Sequence, residues 1–352
     1  MTVSYLDEIM EQPALFAALS RGLPAGVAGD LAQVQHGLGA GAFDRILLTG
    51  MGSSLYGAYP VYLRLTHSQT IPVLLLDASE LVQQVPEAIS SRTLMIAISQ
   101  SGESGEIVEL TRVADRRPAT VISVTNLSGN TLANWADIPL TSNAGPELTV
   151  SSKSHTGGLA CLHLMFGALT GSSPQAGKDL ARVANAAGQL LKSWEPAVMG
   201  VAGFLDPKAP IVYLGRGKSL ASAQLAGLLT NEAAKLPSTA LSGGQFRHGP
   251  IELVRAGFQM VIFLGDRKTR DIDTALIEKV LSLGGKVVAV APAASAPPER
   301  DTLRVLTYPD VPIPLNPIME AMLVQLIQIP LAAALGFTAG KFLNATKITG
   351  VV

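Results

Sequence analysis

Two stretches of this 352-residue chain repeat each other at a fixed distance. Ile46-Leu47-Leu48-Thr49-Gly50-Met51-Gly52-Ser53-Ser54-Leu55 is matched by Ile211-Val212-Tyr213-Leu214-Gly215-Arg216-Gly217-Lys218-Ser219-Leu220. Gly50/Gly215, Gly52/Gly217, Ser54/Ser219, Leu55/Leu220 and Ala58/Ala223 share one offset of 165 residues, and Met95 falls on Met260 at the same offset. A tandem duplication restricts the chain to two copies of one supersecondary plan. Short β-rich runs set that plan, at 45–49, 72–76, 94–98, 120–125 and 138–140 in the first half. A second set follows at 211–214, 260–264, 286–290 and 305–308, with helical stretches between. Alternation of this kind predicts an α/β fold with two parallel sheets, each covered by helices on both faces in a flavodoxin- or Rossmann-like three-layer arrangement. Gly-Ser-Ser-Pro-Gln-Ala-Gly-Lys at 171–178 reads as a linker, and a helix over 179–194 leads into the second half. The expected organisation is an N-terminal helical segment (1–25), a first domain (26–175), a second domain (195–335) and a C-terminal segment (336–352).

The charge balance excludes some functions. A formal net charge of −1 with 15% charged residues gives no support for nucleic-acid or anionic-membrane binding. The one cysteine, Cys161, allows no internal disulfide and points to a reducing compartment, the cytoplasm. It sits in an apolar run and reads as a buried thiol. The N-terminus is acidic and lacks an apolar signal core. The apolar stretch 318–337 is long enough to span a bilayer, but Glu320, Gln325, Gln328 and Pro330 within it argue for a buried or interface helix.

The chemistry concentrates at Ser99-Gln100-Ser101-Gly102-Glu103-Ser104, between an apolar strand and an amphipathic helix carrying Ile107, Val108 and Leu110. Hydroxyls and an amide at a helix start, beside free backbone N–H groups, form a phosphate cradle that needs no Lys or Arg. Ordinary capping calls for one hydroxyl, not three. Gly50-Met51-Gly52 with Asp77 at the end of the next strand evokes a dinucleotide fold, but Leu55 and Leu220 stand where the third glycine belongs. No nucleotide and no other cofactor is expected. Gly52, Ser53 and Ser54 instead offer a second small, hydroxyl-bearing turn beside the first. The second half has Leu264-Gly265-Asp266-Arg267 in place of the hydroxyls, so one phosphate site per chain is expected.

These segments, in order and spacing, resemble the double-SIS (sugar isomerase) family, specifically the isomerase module of glucosamine-6-phosphate synthase. Glu8-Ile9-Met10-Glu11-Gln12-Pro13, Gly52-Ser53-Ser54, Ala78-Ser79-Glu80 and the Ser99–Ser104 turn carry the likeness in the first half. Asn143-Ala144-Gly145-Pro146-Glu147, Gly215-Arg216-Gly217, Gln245-Phe246-Arg247-His248-Gly249-Pro250 and Asn344-Ala345-Thr346-Lys347 extend it almost to the end. The resemblance implies two tandem SIS domains and a sugar-phosphate substrate, with phosphate held by Ser54, Ser99, Gln100, Ser101 and Ser104. It implies sugar contacts from Val150, Ser151 and Ser152, in a segment that departs from the family pattern by reading Ser-Ser-Lys-Ser-His, one residue shorter. It also implies a homodimer with shared active sites, because the family's His-bearing loop reaches a neighbouring subunit.

Aldose–ketose conversion needs a base that moves a proton between C2 and C1 of an open-chain sugar. Glu232 matches the family's catalytic glutamate; on residues alone a solvated helix-face glutamate is the commoner fate. His248, between glycine-rich and Gly-Pro punctuation, suits a proton shuttle for ring opening. Lys347 matches a family lysine that can form an imine with the ketose on a loop that closes the site, against the usual solvated tail lysine. His155 is a weaker candidate for substrate binding. His36, His67 and His163 form no spaced cluster with Cys161, so no metal site is expected. Leu229 stands where the synthase has another active-site lysine. Thr2, not cysteine, follows Met1, so the family's glutaminase route to ammonia is not expected, and the module is expected to run toward breakdown. The leading expectation is an aminosugar-phosphate deaminase/isomerase, glucosamine 6-phosphate and water giving fructose 6-phosphate and ammonia. A fructosamine-6-phosphate deglycase is the second reading. A non-catalytic sugar-phosphate-binding regulator is the third, opposed by the joint presence of Glu232, His248 and Lys347.

Overall fold

A computed structural model describes residues 4–112 and 117–348 of the chain. Residues 1–3 and 349–352, the ends of the expected terminal segments, lie outside the described residues. The chain divides into two bodies. The first holds residues 14–147, 153–181 and 344–348, and the second holds 4–13, 148–152 and 182–343.

The first body is built on five parallel strands: β1 (Arg45–Gly50), β2 (Val73–Asp77), β3 (Thr93–Ile98), β4 (Thr120–Thr125) and β5 (Ile138–Thr141). Their spatial order is β2-β1-β3-β4-β5. The second body has β6 (Ile211–Gly215), β7 (Ser238–Ser242), β8 (Gln259–Phe263), β9 (Lys286–Pro292) and β10 (Leu303–Tyr308), ordered β10-β9-β8-β6-β7. Read from the other edge, this is the same order. The duplication extends to register: Leu47 lies opposite Met95, and Val212 lies opposite Met260. Each residue of the second pair stands 165 positions after its counterpart, so the offset seen in sequence is an offset in space.

The central strands β1 and β3 are apolar because helices cover both faces. Ile46, Leu47, Leu48, Leu94, Met95 and Ile96 are fully buried, as expected of strands inside a parallel sheet. Ile46, Leu48 and Ile96 face one cluster with Leu65, Leu162 and Met165. Leu47 and Met95 face another with Leu81, Ile107 and Leu110. Cys161 is enclosed in the first of these clusters, and burial pushes its thiol up to about 12.

Three features differ from the sequence reading. The edge strand β7, Ser-Thr-Ala-Leu-Ser, was not expected, because its residues are half-buried or exposed and make no apolar run. Residues 171–178 are not an extended linker. Gly171 takes a left-handed backbone (φ +71°), and a helix begins at Ser173 and runs to Phe204, interrupted at Ser193 (φ −142°). The N-terminal helical stretch is shared between the bodies. Glu8 and Gln12 are fully buried and bind groups of the second body, which gives residues 4–13 their place there.

Helix Asn316–Ala334 is long and apolar enough to cross a membrane, but most of it is buried in the second body. Its polar residues have partners in the fold. Glu320 accepts from Ser219, Ser222 and Tyr308, and Gln325 exchanges hydrogen bonds with Gln12 and the Ser152 carbonyl.

Candidate active site

In the first sheet the connection reverses direction between β1 and β3, and ligands of open α/β sheets settle at the C-terminal ends of such a strand pair. Gly50 and Ile98 end these strands side by side, so the Gly50–Ser54 and Ser99–Ser104 turns flank one crevice. A Cβ on Gly50 would lie 2.7 Å from the Ile98 carbonyl oxygen. Gly52 is left-handed (φ +50°) and delivers the chain into helix Ser53–Ser68. The second turn is braced from within. Ser99 Oγ accepts from the Gly102 N–H (3.1 Å) and Ser101 Oγ from the Glu103 N–H (3.1 Å). Glu103 points away, accepting from Thr131 N–H and Oγ. Gly102 (φ +68°) packs so closely on Asn130 that a Cβ would clash at 1.9 Å. Helix Gly105–Arg112 follows, leaving its first N–H groups at the mouth of the turn. Ser53, Ser54, Gln100, Ser101 and Ser104 are partly exposed, while Ser99 is buried.

Asn126 couples this turn to the next loop. Its N–H donates to the Gln100 carbonyl (3.0 Å), its Oδ1 accepts from Ala144 N–H (2.9 Å), and its Nδ2 donates to Gly145 O (2.8 Å). The loop thus held presents Glu147, whose carboxylate accepts from the Ser154 N–H (2.9 Å) and Oγ (2.6 Å) and pairs with the Lys347 ammonium. Burial acts to raise the Glu147 carboxyl, but Lys347 and the Ser154 donors outweigh it and hold the group below its ordinary value. His155 lies next to this pair. Its buried imidazole hydrogen-bonds the Ser53 backbone and packs on Gly57. Burial pulls it down to about 4, against the opposing pull of Glu147, so it is neutral. It supports the Gly52-Ser53-Ser54 turn rather than offering an open ring to a ligand. Asn126, Glu147 and Ser154 were not singled out in sequence, and Glu147 was noted only as the end of a motif.

The second body carries the remaining candidates. Val150 and Ser152 lie on residues 148–152, fastened by Glu8. The Glu8 carboxylate accepts from Leu148 N–H (2.6 Å), Thr149 N–H (3.3 Å), Thr149 Oγ1 and Ser152 Oγ (2.9 Å). The Ser152 side chain is fully buried with its hydroxyl on Glu8, while Ser151 beside it is partly exposed. Glu232 is partly exposed on a single π-helical turn, Thr230–Ala234, that ends helix Ser219–Leu229. Such turns recur at functional sites because they push one residue out of helical register. Lys235 follows in left-handed backbone, its Nζ donating to the Glu232 and Lys341 carbonyls. His248 is exposed at the end of helix Gly243–Arg247, just before Gly249 (φ +130°).

At the crevice of the second sheet the chain supplies its own anion. Asp266 occupies the place of Ser101, and a Cβ on Gly217 would meet its carboxylate at 2.0 Å. A fully buried Glu320 lies under the adjoining Gly265. A carboxylate in that position repels an anion, whereas the matching position of the first crevice carries the Ser101 hydroxyl. Among the described residues no group of three His, Cys, Asp or Glu could hold a metal ion.

A family model described as the SIS domain matches this chain twice, over residues 43–166 and 204–335. The chain is 29% identical over 310 residues to glutamine–fructose-6-phosphate aminotransferase [isomerizing] of Pyrococcus horikoshii, covering 87% of this chain and 51% of that protein. It is 28% identical over 357 residues to the protein of that name from Thermococcus kodakarensis, covering 97% and 57%. The chain therefore spans about half the length of the curated relatives it matches. The C-terminal domain of glucosamine-fructose-6-phosphate aminotransferase from Francisella tularensis superposes with a TM-score of 0.84 at 19% identity, covering 97% of this chain and 99% of that one. Glucosamine-6-phosphate deaminase from Thermotoga maritima superposes with a TM-score of 0.71 at 20% identity, covering 99% of each. At these identities the likeness is one of fold.

Proposed function

The chain belongs to the SIS domain family, and from that premise we propose that it is an aminosugar-phosphate deaminase/isomerase converting glucosamine 6-phosphate and water to fructose 6-phosphate and ammonia. The observation that carries this reading is the hydroxyl-lined crevice between the ends of β1 and β3. Its glycines, serines and helix starts suit a phosphate monoester, and its counterpart in the second sheet is filled by Asp266. Ser54, Ser99, Gln100, Ser101 and Ser104 are assigned to the phosphate, and Val150, Ser151 and Ser152 to the sugar.

The chemistry follows from the remaining groups. Ring opening, assisted by His248, exposes the C1 aldehyde. Glu232 takes the proton from C2 and returns it to C1, which leaves an imine at C2. Water adds to that imine and expels ammonia, leaving the C2 ketone. Lys347, held by Glu147, closes the site or holds the ketose. The homodimer is part of the proposal, since an exposed His248 loop suits donation to a second copy. The names of the matched relatives support a six-carbon sugar 6-phosphate. A second reading, a fructosamine-6-phosphate deglycase, is favoured by Leu229, which is fully buried and supplies no amine ahead of Glu232. The test common to both is proton exchange. In heavy water the chain should carry deuterium into C1 of fructose 6-phosphate under the first reading and into C2 of the aldose phosphate product under the second, and Glu232→Gln should abolish the exchange while still binding inorganic phosphate. Unchanged exchange in that variant would remove Glu232 as the base.

A further inference from the structure

We propose that Lys235 is a positioning residue that ties the Glu232 turn to the C-terminal segment. The inference rests on the reading of Glu232 as the base, and its geometry lies wholly within the second body. Lys235 has φ +59° and ψ +30°, a left-handed backbone that few non-glycine residues adopt. Such a conformation persists only where its surroundings over-determine it. Here the surroundings are two backbone carbonyls. The Lys235 ammonium donates to the carbonyl of Glu232, three residues back, and to that of Lys341, 2.7 Å away. From this left-handed position the partly exposed side chain reaches back to the carbonyl of the π-helical turn. Burial lowers the Lys235 ammonium from its ordinary value, while the Glu232 charge acts the other way.

The segment it grips is fixed again one residue earlier. The Gly340 carbonyl accepts from the Val150 N–H (3.3 Å), and a Cβ on Gly340 would lie 3.0 Å from Thr149 and 3.1 Å from Tyr5. Lys235 thus joins three pieces assigned to one reaction: the turn bearing Glu232, the loop bearing Val150, and the segment that runs on to Lys347 six residues later. An amine engaged by two carbonyls is a tether, not a nucleophile. Its effect on chemistry passes through the placement of Glu232 and of the segment.

The test uses the full chain with Lys235→Asn and Lys235→Arg. Asparagine tolerates left-handed backbone but is too short to reach Lys341; arginine keeps the donors. Hydrogen exchange over residues 340–343 should quicken about tenfold or more in Lys235→Asn, as it does when a local opening loses its restraint. Turnover of glucosamine 6-phosphate should fall in kcat by about tenfold with KM within about threefold, the signature of a misplaced catalytic group. Lys235→Arg should restore both. Should Lys235→Asn lose its cooperative melt, Lys235→Gly, which suits the same backbone, takes its place. Exchange in the asparagine variant within about twofold of the parent would overturn the tether. Faster exchange with unchanged kcat would overturn the positioning role. If the parent chain turns over no sugar phosphate, the reaction assignment fails, and the exchange result still decides the tether.

Discussion

The Lys347 ammonium is paired with Glu147, whose carboxylate is wholly buried while the lysine keeps about a quarter of its side chain in solvent. Their partnership explains how a residue near the end of the chain acquires a defined place. Because Lys347 and the Ser154 donors hold the Glu147 carboxyl below its ordinary value, their contribution is present above about pH 4.5 and is lost as acid protonates the folded chain. Glu147→Gln and Lys347→Met should each destabilise the protein at pH 7, and the double variant should lose less than the two combined. A coupling of about 1–2 kcal/mol is expected for a pair of this burial. Urea melts of the four proteins measure it, and strict additivity would contradict the pairing.

The crevice proposed to hold phosphate gives a separate prediction. Ser101 is partly exposed, and its Oγ accepts from the Glu103 N–H within the turn. Ser101→Ala should raise the KM for the sugar phosphate by about tenfold, the worth of one hydrogen bond to a charged group, with kcat changed much less. Asp266→Ser, the exchange at the matching position of the second sheet, should leave that KM unchanged. Steady-state kinetics with inorganic phosphate as competitor reads both variants, and an unaltered KM in Ser101→Ala would remove the turn from the site.

Glu320 gives the fold a pH dependence. Burial raises its carboxyl to about 7, against the pull of the Ser222, Ser219 and Tyr308 hydroxyls. Between about pH 4.5 and 7 the folded chain keeps a proton that the unfolded chain has lost, so this group's contribution falls as pH rises through that window and is flat above it. Glu320→Gln should remove the fall and gain about 1–3 kcal/mol on the parent between pH 5 and pH 8. Denaturant melts at the two pH values decide it. An equal difference at both would contradict a buried, proton-bearing Glu320.

Where the sequence signal was repetitive, the fold was legible. Apolar strands such as Leu94–Ile98 of β3 announce themselves because both faces are covered, and the 165-residue offset locates the second copy down to its strand register. β7 escaped notice because an edge strand needs no apolar run. The candidate phosphate turn rests on a rare residue combination, Ser99-Gln100-Ser101-Gly102, that is visible in the sequence itself. The groups that brace the candidate segments, Asn126 at Gln100, Glu8 at residues 148–152 and Glu147 at Lys347, are far less conspicuous. Glu8 and Glu147 stand in sequence only as members of longer motifs and Asn126 in none, and their partners, Leu148, Lys347 and Ala144, are brought to them by folding. Lys235 is equally silent, since nothing in Ala-Ala-Lys-Leu signals a left-handed turn.

The central claim is the reaction, and parallel assay of ammonia and fructose 6-phosphate from glucosamine 6-phosphate tests it most directly. The account predicts that the purified chain releases the two in equal amounts, and that Glu232→Gln releases neither. No ammonia from the parent chain under conditions where the sugar phosphate binds and stabilises it would contradict the deaminase assignment.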